Sequence, residues 1–156
     1  KKGNINHIHG YGKHGKDTFM QSLAENGVDP DNEHFIIKEY IDNMYTCMCA
    51  SDLIITRAGA MTLTELMAIG RASVLIPYPY AAENHQYYNA LTLQNANAGR
   101  IIDDKELTGA VLIDTVTKLA DDPELLKLMS ENAAKLSKHD AAGVILREIT
   151  DLMGLE

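Results

Sequence analysis

The sequence is short of basic residues and of long apolar runs, and both shortages exclude classes of protein. Lys and Arg total 14 against 22 Asp and Glu, a formal net charge of −8, which opposes non-specific binding to nucleic acid or to anionic lipid. No apolar run approaches the roughly 18 to 20 residues of a membrane-spanning helix, and no signal-like block follows the N-terminus. We therefore expect a soluble, cytoplasmic chain, not itself inserted in a membrane, that holds any phosphate through backbone amides or a few placed side chains.

Cysteine is scarce too, and its placement argues against a metal site. Cys47 and Cys49 lie two residues apart, without CxxC spacing and without a second ligand pair, so we expect reduced thiols in the core. His7 and His9 would lie on one face of a strand, but no recognisable pattern of carboxylates accompanies them. Neither a metal nor a cofactor is expected.

Short β-type runs alternate with helical patterns, which is typical of an α/β fold in which helices cover both faces of a Rossmann-like parallel sheet. Strands are predicted at residues 5–9, 34–39, 52–56, 73–76 and 100–102, and helices at 16–26, 43–50, 62–69 and 85–97. After Lys105 the pattern is helical, with Pro123 opening one segment and a last segment at Ala141–Met153.

The chain of 156 residues, 46% of them hydrophobic, suits a single domain with one full core. Neither a repeat nor a linker suggests an internal boundary. It also starts abruptly, because a predicted strand begins within a few residues of Lys1. Ligands of such sheets bind outside the carboxyl ends of the strands, so the loops that follow the strands are where a site is expected.

The most informative loop lies within residues 52–65, where a buried strand passes through a small-residue turn into a helix. Gly59 and Ala60 would let a ligand approach the backbone. The amides of the helix N-terminus would seat a diphosphate, and Thr62 could add a hydroxyl donor. Glu65, one turn further on, could accept hydrogen bonds from ribose hydroxyls. The alternative is a simple capping box between Thr62 and Glu65.

A second polar cluster opens the next predicted helix. Asn84, His85, Gln86 and Asn89 lie within its first turn and a half, and their side chains offer both donors and acceptors to sugar hydroxyls. The alternative is that Asn84 merely caps a solvated helix start.

A third candidate follows the second predicted strand, at residues 38–44. Tyr40 and Ile41 could flank a flat heterocycle while the Ile41 backbone pairs with its edge. The alternative is that both are core residues.

Three segments, taken in order, resemble the C-terminal domains of the MurG family of glycosyltransferases. They are residues 38–44 (Lys-Glu-Tyr-Ile-Asp-Asn-Met), 57–65 (Arg-Ala-Gly-Ala-Met-Thr-Leu-Thr-Glu) and 82–90 (Ala-Glu-Asn-His-Gln-Tyr-Tyr-Asn-Ala). The resemblance covers nearly the whole chain. It implies the donor-binding, C-terminal half of a two-domain GT-B transferase, over residues 1–156, with a helical C-terminus.

The resemblance also implies roles for the nucleoside contacts. The side chain of Tyr40 and the backbone of Ile41 would meet uracil, and Glu65 would hold the ribose.

For the diphosphate, the resemblance implies Gly59, Ala60, Met61 and Thr62. Arg57 would either brace the loop or offset charge on the departing UDP, and the sequence does not separate these roles.

For the sugar, the resemblance implies Gln86, Asn89 and His85 at the hydroxyls of N-acetylglucosamine. The whole enzyme would transfer this sugar from UDP-N-acetylglucosamine to lipid-linked muramyl-pentapeptide, converting lipid I to lipid II in bacterial peptidoglycan synthesis. The reaction would invert the anomeric carbon without a metal or cofactor, and the enzyme would lie peripherally on the cytoplasmic face of the plasma membrane.

The sequence departs from the family in what it lacks. The family's first strand with its Gly-Gly-Ser loop is absent, and so is the N-terminal domain that holds the acceptor site and the proposed base. The catalytic residues are therefore unknown, and this chain alone is expected to be inactive. Alternatives are a donor-binding domain or subunit of another GT-B transferase with a different acceptor, and a non-catalytic nucleotide-binding module.

Overall fold

The fold is described by a computed structural model over residues 5–138 and 140–154. Its residues divide into a first compact unit that ends at Cys47 and a second that begins at Met48. The parallel α/β class is confirmed, with strands hydrogen-bonded as one sheet of two and one of three. The assignment of the chain to a single donor-binding domain stays a prediction.

The first unit contains two parallel strands. Strand β1 (His7–Gly10) is followed by helix α1 (Lys16–Glu25) and by β2 (Phe35–Lys38), with His7 opposite Phe35 in the register. Helix α2 (Met44–Ala50) begins in this unit. Strand β1 begins two residues later than predicted and extends one residue further, and β2 is one residue shorter than predicted at each end.

Aromatic rings line β1 and the facing side of α1. The imidazoles of His7 and His9 stack with centroids 5.6 Å apart, and His9 stacks on Phe19 at 4.4 Å. Burial lowers the pKa of His7, and burial followed by the neighbouring His7 charge lowers the pKa of His9. Burial therefore favours the neutral form of both rings.

We expect the first unit to lose stability as the pH falls below the ordinary histidine pKa of 6.5. The histidine pKa is higher in the unfolded chain than in the folded one, so the unfolded chain binds protons first as the pH falls. The free energy of unfolding is therefore highest above pH 6.5 and decreases below it. Urea melts followed by circular dichroism from about pH 7.5 to about pH 5.5 would measure the slope. His9→Phe should reduce the slope of the unfolding free energy against pH. His14→Asn, on the exposed loop, should leave that slope unchanged. An unchanged slope in His9→Phe would contradict the assignment of the pH dependence to the buried histidines.

The second unit is built on three parallel strands in the order β3-β4-β5. They are β3 (Leu53–Thr56), β4 (Ala72–Leu75) and β5 (Gly99–Ile101), separated by α3 (Ala60–Ile69) and α4 (His85–Asn95). The C-terminal helices are α5 (Gly109–Ala120), α6 (Pro123–Lys135) and α7 (Ala141–Met153). The last helix has the bounds that the sequence predicts, and Pro123 is in the first turn of α6 as expected.

Helices cover both faces of this sheet, as predicted. Every residue of the central strand β4 is buried, and successive side chains point to opposite faces. Leu75 joins a core cluster with Leu63, Leu66 and Leu93 of α3 and α4. Val74 joins the opposite cluster, whose members from α5 and α6 are Leu119 and Met129.

Short polar side chains fix where the C-terminal helices begin. The Thr108 hydroxyl accepts from the Val111 amide at 3.2 Å, and Asp122 accepts from Leu125 at 3.0 Å. These caps satisfy amides that the helices cannot. Within the described part of the chain, no helix is long and apolar enough to cross a membrane.

The two cysteines are thiols outside any disulfide, and both are half-buried rather than fully buried. The expectation of core thiols is therefore only partly met, because α2 buries Met48, between them, more completely. Residues 5–138 and 140–154 contain no group of three or more His, Cys, Asp or Glu side chains placed to hold a metal.

Candidate functional site

The candidate site lies at the carboxyl edge of the three-stranded sheet. Because β3, β4 and β5 are parallel, the segments that follow them emerge at one edge. The turn after β3 leads into α3, the loop after β4 leads into α4, and a short turn follows β5. Except for Tyr40 and Ile41, all the predicted site residues belong to these segments and helix starts.

The N-terminus of α3 is open at this edge. The helix begins at Ala60 after an extended Gly59, and its first backbone bond runs from the Leu63 amide to the Gly59 carbonyl at 3.0 Å. The amides of Ala60, Met61 and Thr62 therefore have no acceptor within the helix. No described atom lies within 4 Å of a Cβ placed on Gly59. The space beside Gly59 is therefore open, and a helix start with three unpaired amides and the positive end of the helix dipole suits an anion.

The capping-box alternative for Thr62 and Glu65 is wrong. The helix starts two residues earlier than predicted, so Thr62 is the third helical residue and cannot cap its start. Gly59 holds the N-cap position without a side-chain bond. Glu65 is exposed one turn further along, and Met61 is 80% exposed.

Arg57 ties together the ends of all three strands. Its Nη1 donates to the carbonyls of Ile76 and Pro77, each at 3.3 Å, and to Oδ1 of Asp104 at 2.5 Å. Its guanidinium carbon also lies 5.7 Å from the ring centroid of Tyr78, within cation–π range. These contacts support the bracing role, while a role against the charge of UDP stays a prediction.

Asp104 is the residue at this edge that the sequence analysis missed. It lies 47 positions from Arg57, in the turn after β5, and shares no motif with it. The sequence does place Asp104 shortly after a predicted strand of the same parallel sheet. That position does not specify which strands are adjacent, so the pairing with Arg57 could not be predicted from it.

The loop between β4 and α4 has an unusual backbone. Glu83 and Asn84 both adopt left-handed conformations, with φ of 52° and 54°. Such conformations cost about 1 to 2 kcal/mol for most residues, less for Asn, and persist where surrounding contacts dictate them. Asn84 occupies the N-cap position of α4, but its side chain makes no capping bond among the described residues. The predicted Asn84 N-cap is therefore confirmed in position only, because its side chain does not cap the helix.

Gln86 and Asn89 are both tied to the neighbouring turns. Oε1 of Gln86 accepts from the Tyr78 amide at 3.0 Å, which leaves the hydrogens of Nε2 to other acceptors. Nδ2 of Asn89 donates to the Ala58 carbonyl at 3.4 Å. The first turns of α4 are thus joined to the loop after β4 and to the turn after β3.

His85 has its tautomer set by the backbone. Its Nδ1 lies 2.8 Å from the carbonyl of Ala82, and a carbonyl can only accept, so Nδ1 carries the proton. In the neutral ring, Nε2 is then an acceptor. The exposed side chain is suited to receive a bond from a hydroxyl.

Tyr40 and Ile41 belong to the first unit. Tyr40 is 73% exposed, so the alternative that it is a core residue is wrong. Ile41 is half-buried, with Cδ1 3.5 Å from a Cβ placed on Gly10. Their contact with uracil stays a prediction.

Comparison with known proteins identifies relatives over most of the chain. The family described as "Glycosyltransferase family 28 C-terminal domain" matches residues 1–145. A protein of Desulforamulus reducens is 40% identical over 147 residues, 94% of this chain and 40% of its own. One of Thermoanaerobacter sp. is 43% identical over 133 residues, 85% and 36% of the two chains. Both are named UDP-N-acetylglucosamine–N-acetylmuramyl-(pentapeptide) pyrophosphoryl-undecaprenol N-acetylglucosamine transferase. The chain spans about two-fifths of the length of such relatives.

Solved structures agree with this relationship. Acinetobacter baumannii MurG superposes with a TM-score of 0.81 at 30% identity, over 94% of this chain and 41% of that chain. The glycotransferase of kitacinnamycin reaches 0.65 at 20% identity, over 90% and 34%, which supports the fold alone. The resemblance to the MurG family is thereby confirmed. The chain belongs to the family of glycosyltransferase family 28 C-terminal domains.

Proposed function

We propose that this domain binds UDP-N-acetylglucosamine as the donor for inverting transfer of N-acetylglucosamine to lipid-linked muramyl-pentapeptide. In peptidoglycan synthesis this is the step from lipid I to lipid II. The observation that carries the proposal is that the open N-terminus of α3 and the polar first turn of α4 lie at one sheet edge. We call the amides of Ala60, Met61 and Thr62 the anion seat. A nucleotide sugar requires such a site for its diphosphate next to groups that bind the hydroxyls of its sugar.

The diphosphate would bind at the start of α3. In a chain of net charge −8, a diphosphate needs local donors, and the amides of Ala60, Met61 and Thr62 provide them together with the helix dipole. Arg57 is already paired with Asp104, so the backbone supplies the main attraction in this proposal.

The ribose would lie beside Glu65. Five helical positions separate Glu65 from Ala60, about 7.5 Å along the axis, and a ribose is the group next to the diphosphate in UDP. An exposed carboxylate accepts two hydroxyl bonds at once. The family resemblance extends this assignment to uracil, through Tyr40 and Ile41.

The sugar would be read by α4. Nε2 of Gln86 can donate, Nε2 of His85 can accept, and the amide of Asn89 can do both, which matches hydroxyl groups that do both. A module that binds a bare nucleotide would not need this cluster. The acceptor would be met by the rest of the whole transferase, at the cytoplasmic face of the plasma membrane.

The chemistry would be direct displacement at the anomeric carbon. Negative charge would grow on UDP as the bond to the sugar breaks, and the α3 amides would stabilise it from positions fixed in advance. A base from the part of the transferase outside this chain would take the proton of the acceptor hydroxyl.

Titration calorimetry of this chain tests the donor assignment. We expect saturable binding of UDP and of UDP-N-acetylglucosamine, with ADP at least about 10-fold weaker. Glu65→Ala should weaken UDP binding by about 10-fold, as expected for loss of a charged hydrogen-bond partner. The melting temperature should be unchanged, because Glu65 caps nothing.

The control variant is Glu131→Ala, another exposed glutamate of the same unit, on α6. It should bind UDP as the unaltered chain does. Equal binding of ADP, or UDP affinity that is indifferent to Glu65, would overturn the assignment.

A further inference from the structure

We propose that Asp104 is a positioning residue for donor use. It holds the guanidinium of Arg57 so that the loop after β4 keeps Gln86 in place. The inference rests on the proposed function for its meaning, but part of its test does not depend on any donor.

The first step is the geometry at Arg57. Nη1 carries two hydrogens and has three acceptors: Asp104 at 2.5 Å, and the carbonyls of Ile76 and Pro77 at 3.3 Å. The carboxylate is the closest and the only charged one, so it has the strongest hold on the nitrogen. The two carbonyls share what remains. Without Asp104, the guanidinium would be free to leave them for solvent.

The second step leads from Arg57 to the loop. The two carbonyls belong to Ile76 and Pro77, the first two residues after β4. The ring of Tyr78 lies against the same guanidinium, with its centroid 5.7 Å from the guanidinium carbon. The backbone amide of Tyr78 in turn donates to Oε1 of Gln86 at 3.0 Å. A single chain of contacts therefore runs from Asp104 through Arg57 and Tyr78 to Gln86.

The third step is that this loop needs an external restraint. Its left-handed Glu83 and Asn84 persist where surrounding contacts dictate their conformation. The backbone bonds within the loop start from Tyr78, whose carbonyl accepts from the Ala81 amide at 3.2 Å, and continue with the Asn84 amide donating to the Ala81 carbonyl at 3.0 Å. The tie at Tyr78 acts on one end of the loop, and α4 acts on the other. Loosening the first end would let the loop relax and Gln86 turn.

The fourth step separates positioning from stability. The side chains of Arg57 and Asp104 are 49% and 33% exposed, and pairs so exposed contribute little to folding. Loss of Asp104 should therefore leave the melting temperature nearly unchanged. A change in donor use would then report on geometry.

The test uses Asp104→Ala and Asp104→Asn in the whole transferase. We expect Asp104→Ala to lower kcat/KM for UDP-N-acetylglucosamine by about 5-fold to 10-fold. The ratio of kcat/KM for this donor to that for the epimeric galactose donor should decrease as well. The inhibition constant of UDP should stay unchanged, because the substitution does not alter the start of α3. Asp104→Asn retains an acceptor oxygen and should recover most of the loss. Asp114→Ala, which removes an exposed pair with Lys118 on α5, is the matched control.

Hydrogen exchange gives the readout that needs no donor. In Asp104→Ala, the Tyr78 amide should exchange at least about 5-fold faster, while the Val74 amide in the middle of β4 keeps its protection. Unchanged exchange at Tyr78, or an equal loss of UDP affinity and transfer, would overturn the inference. If the unaltered transferase does not use UDP-N-acetylglucosamine, the proposed function fails, and exchange at Tyr78 still decides whether Asp104 holds the loop.

Discussion

Replacing Ala60 with proline should lower the affinity of this domain for UDP by about 10-fold to 100-fold without unfolding it. Ala60 is the first residue of α3, where proline is well tolerated and its missing amide hydrogen has no helical partner to lose. Gly59 before it is already extended, with φ −68° and ψ 141°, as a residue before proline must be. The variant therefore removes one donor of the anion seat and little else.

The magnitude follows from the charge of the ligand. A hydrogen bond to a charged group contributes about 1.5 to 3 kcal/mol, which corresponds to roughly 10-fold to 100-fold in affinity. Titration calorimetry with UDP measures the loss, and circular dichroism melts measure stability. Binding of the free nucleoside uridine should change much less, because uridine lacks the diphosphate.

The matched control is Gly109→Pro, at the first position of α5. Thr108 before it is extended, and no described atom lies within 4 Å of a Cβ placed on Gly109. The control should be as stable as Ala60→Pro and bind UDP like the unaltered chain. Full UDP affinity in Ala60→Pro would mean that the diphosphate does not bind at the start of α3.

Gln86→Glu in the whole transferase should lower kcat/KM for UDP-N-acetylglucosamine by about 10-fold to 100-fold. Glutamate keeps an oxygen for the Tyr78 amide, which Gln86 now holds at 3.0 Å, but it replaces the Nε2 donor with a second acceptor. A sugar oxygen that received a bond from Nε2 would then face a carboxylate. Truncation to alanine is less informative, because it would also leave the Tyr78 amide unpaired.

Steady-state kinetics with the N-acetylglucosamine and N-acetylgalactosamine donors would measure the effect. The ratio of kcat/KM for the two donors should move closer to one, because the lost contact depends on the orientation of a sugar hydroxyl. UDP inhibition should change much less than transfer, because UDP lacks the sugar.

The same helix offers a matched control in Gln94→Glu. Oε1 of Gln94 accepts from the Ile101 amide at 3.0 Å, the same type of bond that Gln86 makes, about two turns further along α4. Transfer should be nearly unaffected by this change. Equal effects of the two substitutions, or none at position 86, would show that Gln86 does not contact the sugar.

The order and type of the main helices and strands, and the family, could be predicted from the sequence alone. Alternating strand and helix patterns gave the parallel α/β class, and the apolar spacing after Asp140 gave α7 its bounds, because periodicity reports which face a local segment buries. Three motifs in the right order and spacing identified the MurG family. These properties are local or linear, so a sequence is sufficient for them.

Local signals were less reliable at the start of α3. Thr62 and Glu65 have capping-box spacing, yet the helix begins at Ala60, because the route of the chain out of β3 decides where helical geometry starts. The presence of a hydroxyl and a carboxyl side chain at capping-box spacing does not show that these side chains cap the helix.

The contacts that hold the site together could not be predicted and follow from the folded chain. The bond from Arg57 to Asp104 spans 47 positions and exists because β4 lies between β3 and β5, so that the ends of all three strands meet at one edge. Gln86 was predicted as a sugar contact, but that one of its oxygens already binds Tyr78 follows from the folded loop. Strand order and side-chain pairing depend on contacts between distant segments, and a linear pattern does not specify which distant segments meet.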